Sequence, residues 1–180
     1  MVHIYCGDGK GKTTAAIGLA VRAAGRGNPV VIAQFLKSAD SGERLILGKL
    51  SGVTLLEIPD EMKFVFAMNE EEKRAERERQ TALFEKAAAL SELNGAGVLV
   101  LDELCSAVST GMVPLELVTA FLDRRPAELE VVITGRDPAA ELERRARETG
   151  IALQEGGPSP TADSPEDDGP PPLTDAEIPF

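Results

Sequence analysis

A chain of 180 residues with 43% hydrophobic side chains can bury one substantial core, so one domain is the default. Its formal net charge of −11 argues against a nucleic-acid or membrane-surface partner. Six acids (Asp163, Glu166, Asp167, Asp168, Asp175, Glu177) and no base lie in residues 156–180, so residues 1–155 are only mildly acidic.

Val2 to Cys6 is a short apolar run that suits a buried strand of a parallel sheet. Gly7, Gly9 and Gly11 then alternate with Asp8 and Lys10, and Lys12, Thr13 and Thr14 lead into an Ala-rich helix over Ala15 to Ala24. A strand, a glycine-rich turn and a helix start form a phosphate cradle. The glycines let backbone N–H groups face an anion, and the helix start adds partial positive charge. Lys12 is placed to reach the outer phosphates of a bound nucleotide, and the Thr13 hydroxyl to sit on Mg²⁺. The common P-loop pattern has Gly five residues before Gly11, where this chain has Cys6.

Gly25 to Asn28 ends the helix, and Pro29 to Phe35 reads as a second buried strand. A polar loop, Ser38 to Glu43, follows. Gln34, Lys37 and Glu43 lie at or past a strand's carboxyl end, where open α/β sheets collect ligand contacts. Val53 to Glu57 is a third strand, and the loop Ile58 to Met68 holds Phe64 and Phe66. Asn69 caps a long helix, with Glu72 placed for a capping box and Leu83, Phe84, Ala87, Leu90 and Leu93 as its apolar stripe.

Gly97 to Leu101 is a fourth strand, ended by Asp102 and Glu103. A carboxylate at that tip can hold a Mg²⁺ shell, and its neighbour can orient a ligand or water. Pro114 to Leu122 makes a short helix, Leu129 to Ile133 a fifth strand, and Arg136 projects beyond it, where a guanidinium suits phosphate or carboxylate. Pro138 to Glu148 is the last helix, and Ile151 to Glu155 a weak edge strand. From Gly156 on, seven of the chain's 12 prolines lie among glycines and acids, so residues 156–180 are expected to be a disordered tail on a domain of residues 1–155. Cys6 and Cys105 read as reduced thiols. With Met1 leading straight into a strand and no run long enough to span a membrane, the expected setting is cytoplasmic.

Gly7 to Ala16, Arg22-Ala-Ala-Gly25, Gln34-Phe-Leu-Lys37, Gly42-Glu43, Leu101-Asp-Glu-Leu104, Arg125-Pro126 and Thr134-Gly-Arg136 stand in this order. Together they resemble the P-loop ATP:corrinoid adenosyltransferases over Val2 to about Ala146. The resemblance implies a P-loop NTPase-like α/β fold with a mostly parallel sheet of five or six strands. It also implies transfer of the 5′-deoxyadenosyl group of ATP to Co(I) of a reduced corrinoid, with triphosphate leaving. On it, Lys12, Thr13, Asp102 and Glu103 carry catalysis, and Gly7 to Thr14 with Arg136 bind ATP. Thr13 and Asp102 hold Mg²⁺, and Gln34, Lys37, Glu43, Phe64 and Phe66 meet the corrinoid. An electron donor for Co(II) and a homodimer are the implied partners. After Ala146 the chain departs from the family pattern, which continues with a strand ending in Thr-Glu-Met and a basic segment. From the residues alone, a P-loop ATPase or small-molecule kinase and a non-catalytic nucleotide- or corrinoid-binding protein stay open. The single histidine, His3, lies inside the first strand, which leaves no evident base for hydrolysis or phosphoryl transfer.

Overall fold

Successive residues of a strand face opposite sides of its sheet, and strands apolar at every position need helices on both sides. The computed structural model, which describes residues 1–148 and 154–155, has that architecture. Its strands are β1 (Val2–Cys6), β2 (Val30–Gln34), β3 (Val53–Leu55), β4 (Val98–Asp102), β5 (Glu130–Thr134) and β6 (Gln154–Glu155). They are all parallel, in the order β3-β2-β4-β5-β1-β6. The helices are α1 (Lys12–Gly25), α2 (Gly42–Leu47), α3 (Glu70–Leu93), α4 (Leu104–Ser109), α5 (Leu115–Arg124) and α6 (Ala140–Glu148).

On one face, Ile4, Ala33, Leu101 and Ile133 pack with Phe84 of α3, Phe121 of α5 and Leu142 of α6. Phe84 meets Phe121 edge to face, with centroids 5.8 Å apart. On the other face, Ile32, Val100 and Val132 pack against Ala16, Ala20 and Ala23 of α1. Three alanines in contact with the sheet let α1 lie close to it, which holds the glycine loop against the strand ends.

Register then builds the site. Tyr5 pairs with Thr134 and Gln34 with Asp102, so the carboxyl ends of β1, β5, β4 and β2 form one row. The strand ending in Asp102 is not the neighbour of β1. β5 lies between them, which brings Thr134 into the row.

Several local expectations change. The sequence pattern carried no expectation for α2 and α4: at six residues each, they are too short to show a helical period. β3 stops at Leu55. Asn69 and Glu72 do form the capping box, but Leu93 is 81% exposed. At 100° per residue it falls about 180° from Phe84, and Ser91 takes the inward position instead. Of the expected edge strand, Gln154 and Glu155 pair with β1. Residues 151–153 and the tail, 156–180, lie outside the described residues.

Candidate active site

The glycine loop closes over the start of α1. Gly11 is the helix N-cap with φ 101°, in the left-handed region where an L side chain is strained. Lys12 folds back over the loop, its Nζ donating to the carbonyls of Gly7 at 2.6 Å and Gly9 at 2.7 Å. Asp8, Lys10 and Thr14 stand exposed around it.

Asp102, at the tip of β4, is fully buried and is the hub of the polar network. Its Oδ1 accepts from the Thr13 hydroxyl at 2.9 Å and the Thr134 hydroxyl at 2.6 Å. Its Oδ2 accepts from Lys37 at 2.6 Å and from Gln34 Nε2 at 3.1 Å. Burial alone would raise this carboxyl's pKa. The charge of Lys37 and the hydrogen bonds from Lys37, Thr134 and Gln34 outweigh it and hold the carboxyl below its usual value. Asp102 is therefore an anion, and with the Thr13 hydroxyl it offers the oxygen pair that a hard cation takes.

Around this hub the partners are themselves tied down. Gln34 also donates to Glu43 at 3.2 Å, and its carbonyl accepts from Arg44 at 2.8 Å. Arg44 in turn donates to the Leu56 carbonyl. Glu103 differs from Asp102. Burial, and next the charge of Asp102, push its pKa up. Its N–H donates to the Thr134 hydroxyl at 2.9 Å.

Among the described residues, three that are not glycine have positive φ: Leu36 (52°), Glu103 (66°) and Asp137 (47°). Each follows the end of a strand, β2, β4 and β5 respectively, so backbone strain collects along the row that carries the polar network. Gly135 is fixed by packing as well. A Cβ there would lie 2.8 Å from Cβ of Cys105 and 3.0 Å from the N of Ser106, so no side chain fits between β5 and α4.

Beside the cradle opens a cavity of about 650 Å³ whose wall includes Leu36, Lys37, Glu43, Phe64, Phe66 and Arg136. Phe64 and Phe66 are 72% and 87% exposed, and their rings stack with centroids 5.4 Å apart. Aromatic rings left in solvent on a cavity wall mark a binding surface for something flat and apolar. Arg136 pairs with Asp8 at 3.8 Å and is exposed, so it reaches from the cavity wall toward the glycine loop.

The family model for the ATP:corrinoid adenosyltransferase BtuR/CobO/CobP matches residues 1–149. The chain belongs to this family. Among similar proteins is a corrinoid adenosyltransferase of Escherichia coli K12, 33% identical over 137 residues, 76% of this chain and 67% of the relative. Another, of Pseudomonas aeruginosa, is 31% identical over 171 residues, 85% of this chain and 80% of the relative. A third is the corrinoid adenosyltransferase CobA of Salmonella typhimurium, 32% identical over 169 residues, covering 87% and 84%.

For an adenosyltransferase, the residues singled out from sequence fall into two groups. Gly7 to Thr14, Asp102 and Glu103 surround the cradle, while Lys37, Glu43, Phe64, Phe66 and Arg136 line the cavity. Gln34, expected at the corrinoid, is instead buried against Asp102 and is not on the cavity wall. Thr134, Arg44 and Ser106 received no role from the sequence. Thr134 binds Asp102 and Glu103 directly, Arg44 orients Gln34, and Ser106 accepts from the Arg136 N–H at 3.1 Å. Thr134 was legible as a hydroxyl at a strand tip. Arg44 carried no such mark.

Proposed function

We propose that the chain transfers the 5′-deoxyadenosyl group of ATP to the cobalt of a reduced corrinoid, with triphosphate leaving. The observation that carries the reading is the juxtaposition of a phosphate cradle with an aromatic-walled cavity, the two sharing Lys37 at their border. In this reading the N–H groups of Gly9 to Thr13 and the Lys12 ammonium bind the triphosphate, and Lys10 and Arg136 add charge at its edge. These groups stabilise negative charge as it develops on the leaving oxygens. Phe64 and Phe66 present a flat apolar face to the corrinoid, and the shared border aligns the two substrates for in-line attack at the 5′ carbon.

Magnesium fits the same account. Among the described residues no three His, Cys, Asp or Glu side chains cluster as a metal cage. The donors at hand are one hydroxyl and one carboxylate, and the Lys37 ammonium sits on both. Mg²⁺ takes few protein oxygens and keeps waters and phosphate oxygens for the rest. Thr13 and Asp102 would hold it, and it would neutralise charge on the triphosphate.

No base is required, because Co(I) is itself the nucleophile. His3, the only histidine of the chain, is paired with Glu130 within the sheet. Glu103 serves to orient a ligand rather than to deprotonate one. Reduction of Co(II) falls to an external electron donor, and the family resemblance supports a homodimer. Cys6 and Cys105, both buried and in no disulfide, agree with a cytoplasmic setting, and no helix among the described residues is long and apolar enough to cross a membrane.

The experiment is an incubation of the protein with ATP, Mg²⁺ and chemically reduced cobalamin. The expected result is a light-sensitive alkylcobalt spectrum that requires all three. ATP consumption without that product would favour a P-loop hydrolase or kinase.

A further inference from the structure

Lys37 belongs to both halves of the site. Its Nζ lies 2.6 Å from Asp102 Oδ2, 3.2 Å from Thr13 Oγ1 and 4.0 Å from Glu43 Oε1, and the side chain also lines the cavity. We propose that Lys37 is a built-in counter-cation for Asp102, which an entering divalent cation displaces toward Glu43. Metal loading at the cradle thereby resets the charge on the cavity wall. The proposal rests on the reading of Thr13 and Asp102 as Mg²⁺ ligands.

Three observations carry it. Asp102 is fully buried, and a buried carboxylate without a paired cation is strongly unfavourable. Before metal enters, Lys37 is the one cation bonded to it among the described residues. Next, the ammonium is bonded to the same two side chains that would take the metal, so both cations cannot hold those oxygens together. Finally, a second carboxylate waits within reach. Glu43 lies beside Lys37 on the cavity wall, held by Gln34, and its pKa stays below the usual range. A flexible four-carbon stem suits such an exchange better than a planar guanidinium would. Leu36, in the strained left-handed region, turns the chain out of β2 immediately before Lys37.

Exchange of this kind links the two ligand sites. Whatever favours Lys37 at Glu43 favours metal at Asp102, and the coupling is reciprocal.

The test uses the full chain without nucleotide and Mn²⁺ as the probe, with free ion followed by electron paramagnetic resonance. Lys37→Met removes the competitor and should bind one Mn²⁺ about tenfold tighter than the unaltered protein, the scale of one charge-assisted hydrogen bond. Lys37→Arg, which keeps a cation that moves aside less readily, should bind no tighter than the unaltered protein. Glu43→Gln, which removes the landing site, should bind severalfold weaker. Melting curves guard against misfolding, and Lys37→Met should gain more from Mn²⁺ than the unaltered protein does. Equal or weaker Mn²⁺ binding by a folded Lys37→Met protein overturns the proposal, as does an unchanged affinity in Glu43→Gln. Asp102→Asn in the Lys37→Met background separates the two readings. If the Mn²⁺ site survives it, the metal reading itself falls. If the site is lost but Lys37→Met had not tightened it, only the displacement falls.

Discussion

The two sides of the strand-end row are built on different physics, and in the proposed function each suits its own ligand. On the cradle side, polar atoms are buried and paired: Asp102 alone accepts from four side chains. On the cavity side, two phenyl rings stand in solvent around a space of about 650 Å³. A triphosphate is small and charged, so a few fixed dipoles and cations suffice, and each matters greatly in a water-poor setting. A corrinoid is large, and its binding comes from buried area at about 25 cal/mol per Å², spread over many contacts. Cradle lesions should therefore abolish function, whereas cavity lesions should grade it.

The largest effect is expected at Lys12. In the proposed function Lys12 carries the main charge on the leaving group, so Lys12→Ala should lower turnover by about 10³ with loss of ATP binding, measured by calorimetry and by corrinoid absorbance. Next comes Asp102→Asn, which keeps the shape but not the charge. Turnover should fall about 10²-fold and most of the Mg²⁺ dependence should vanish. If either variant kept near-normal activity, the contrast between the two sides would collapse.

How much of this was legible depended on whether a residue's role is local. The cradle is one continuous segment, Gly7 to Thr14, and its glycine spacing carries the chemistry. Asp102 was visible because it ends an apolar strand. The contact of Gln34 with Asp102 was not legible because it is set by register, with Asp102 opposite it on the neighbouring strand. Thr134 enters the site only because β5 lies between β1 and β4, an order that no local pattern encodes. The exposure of Phe64 and Phe66 likewise depends on how the segment before α3 lies on the domain. Family resemblance pointed to them where periodicity had nothing to offer.

On the cavity side, Phe66→Ala should separate two assays. The family resemblance implies that such aromatics displace the axial ligand of the corrinoid and so ease reduction of Co(II). The variant should lose about tenfold or more when started from Co(II), and far less when supplied with chemically made Co(I). That difference would be a few kcal/mol at most, in keeping with one aromatic contact. Equal losses in both assays would remove this role and leave Phe66 as plain contact area.

The smallest effect concerns the two adjacent acids. Glu103 has its pKa raised above the ordinary value of 4.5 by burial and by Asp102. The folded state thus favours the protonated form, and that stabilisation is full below pH 4.5 and lost as pH rises through the folded value. Glu103→Gln should raise the Tm at pH 7 by about 1–3 °C and make no difference at pH 4. Asp102 has the opposite sign. Its contribution is present above its ordinary value of 3.8 and is lost as pH falls through the lower folded value. Asp102→Asn should therefore destabilise at pH 7 and less so as the solution is acidified. Parallel pH profiles for the two variants would contradict the assignment of one as a paired anion and the other as a strained, half-desolvated acid.

The central claim is that the cradle holds triphosphate as a leaving group rather than a γ-phosphoryl group for transfer. Phosphorus NMR of the complete reaction, with ATP, Mg²⁺ and Co(I) corrinoid, tests it most directly. The account predicts inorganic triphosphate in a one-to-one ratio with new alkylcobalt product, and almost no ATP consumption when corrinoid is omitted. ADP accumulating in step with ATP loss, with no light-sensitive cobalt–carbon product, would contradict it.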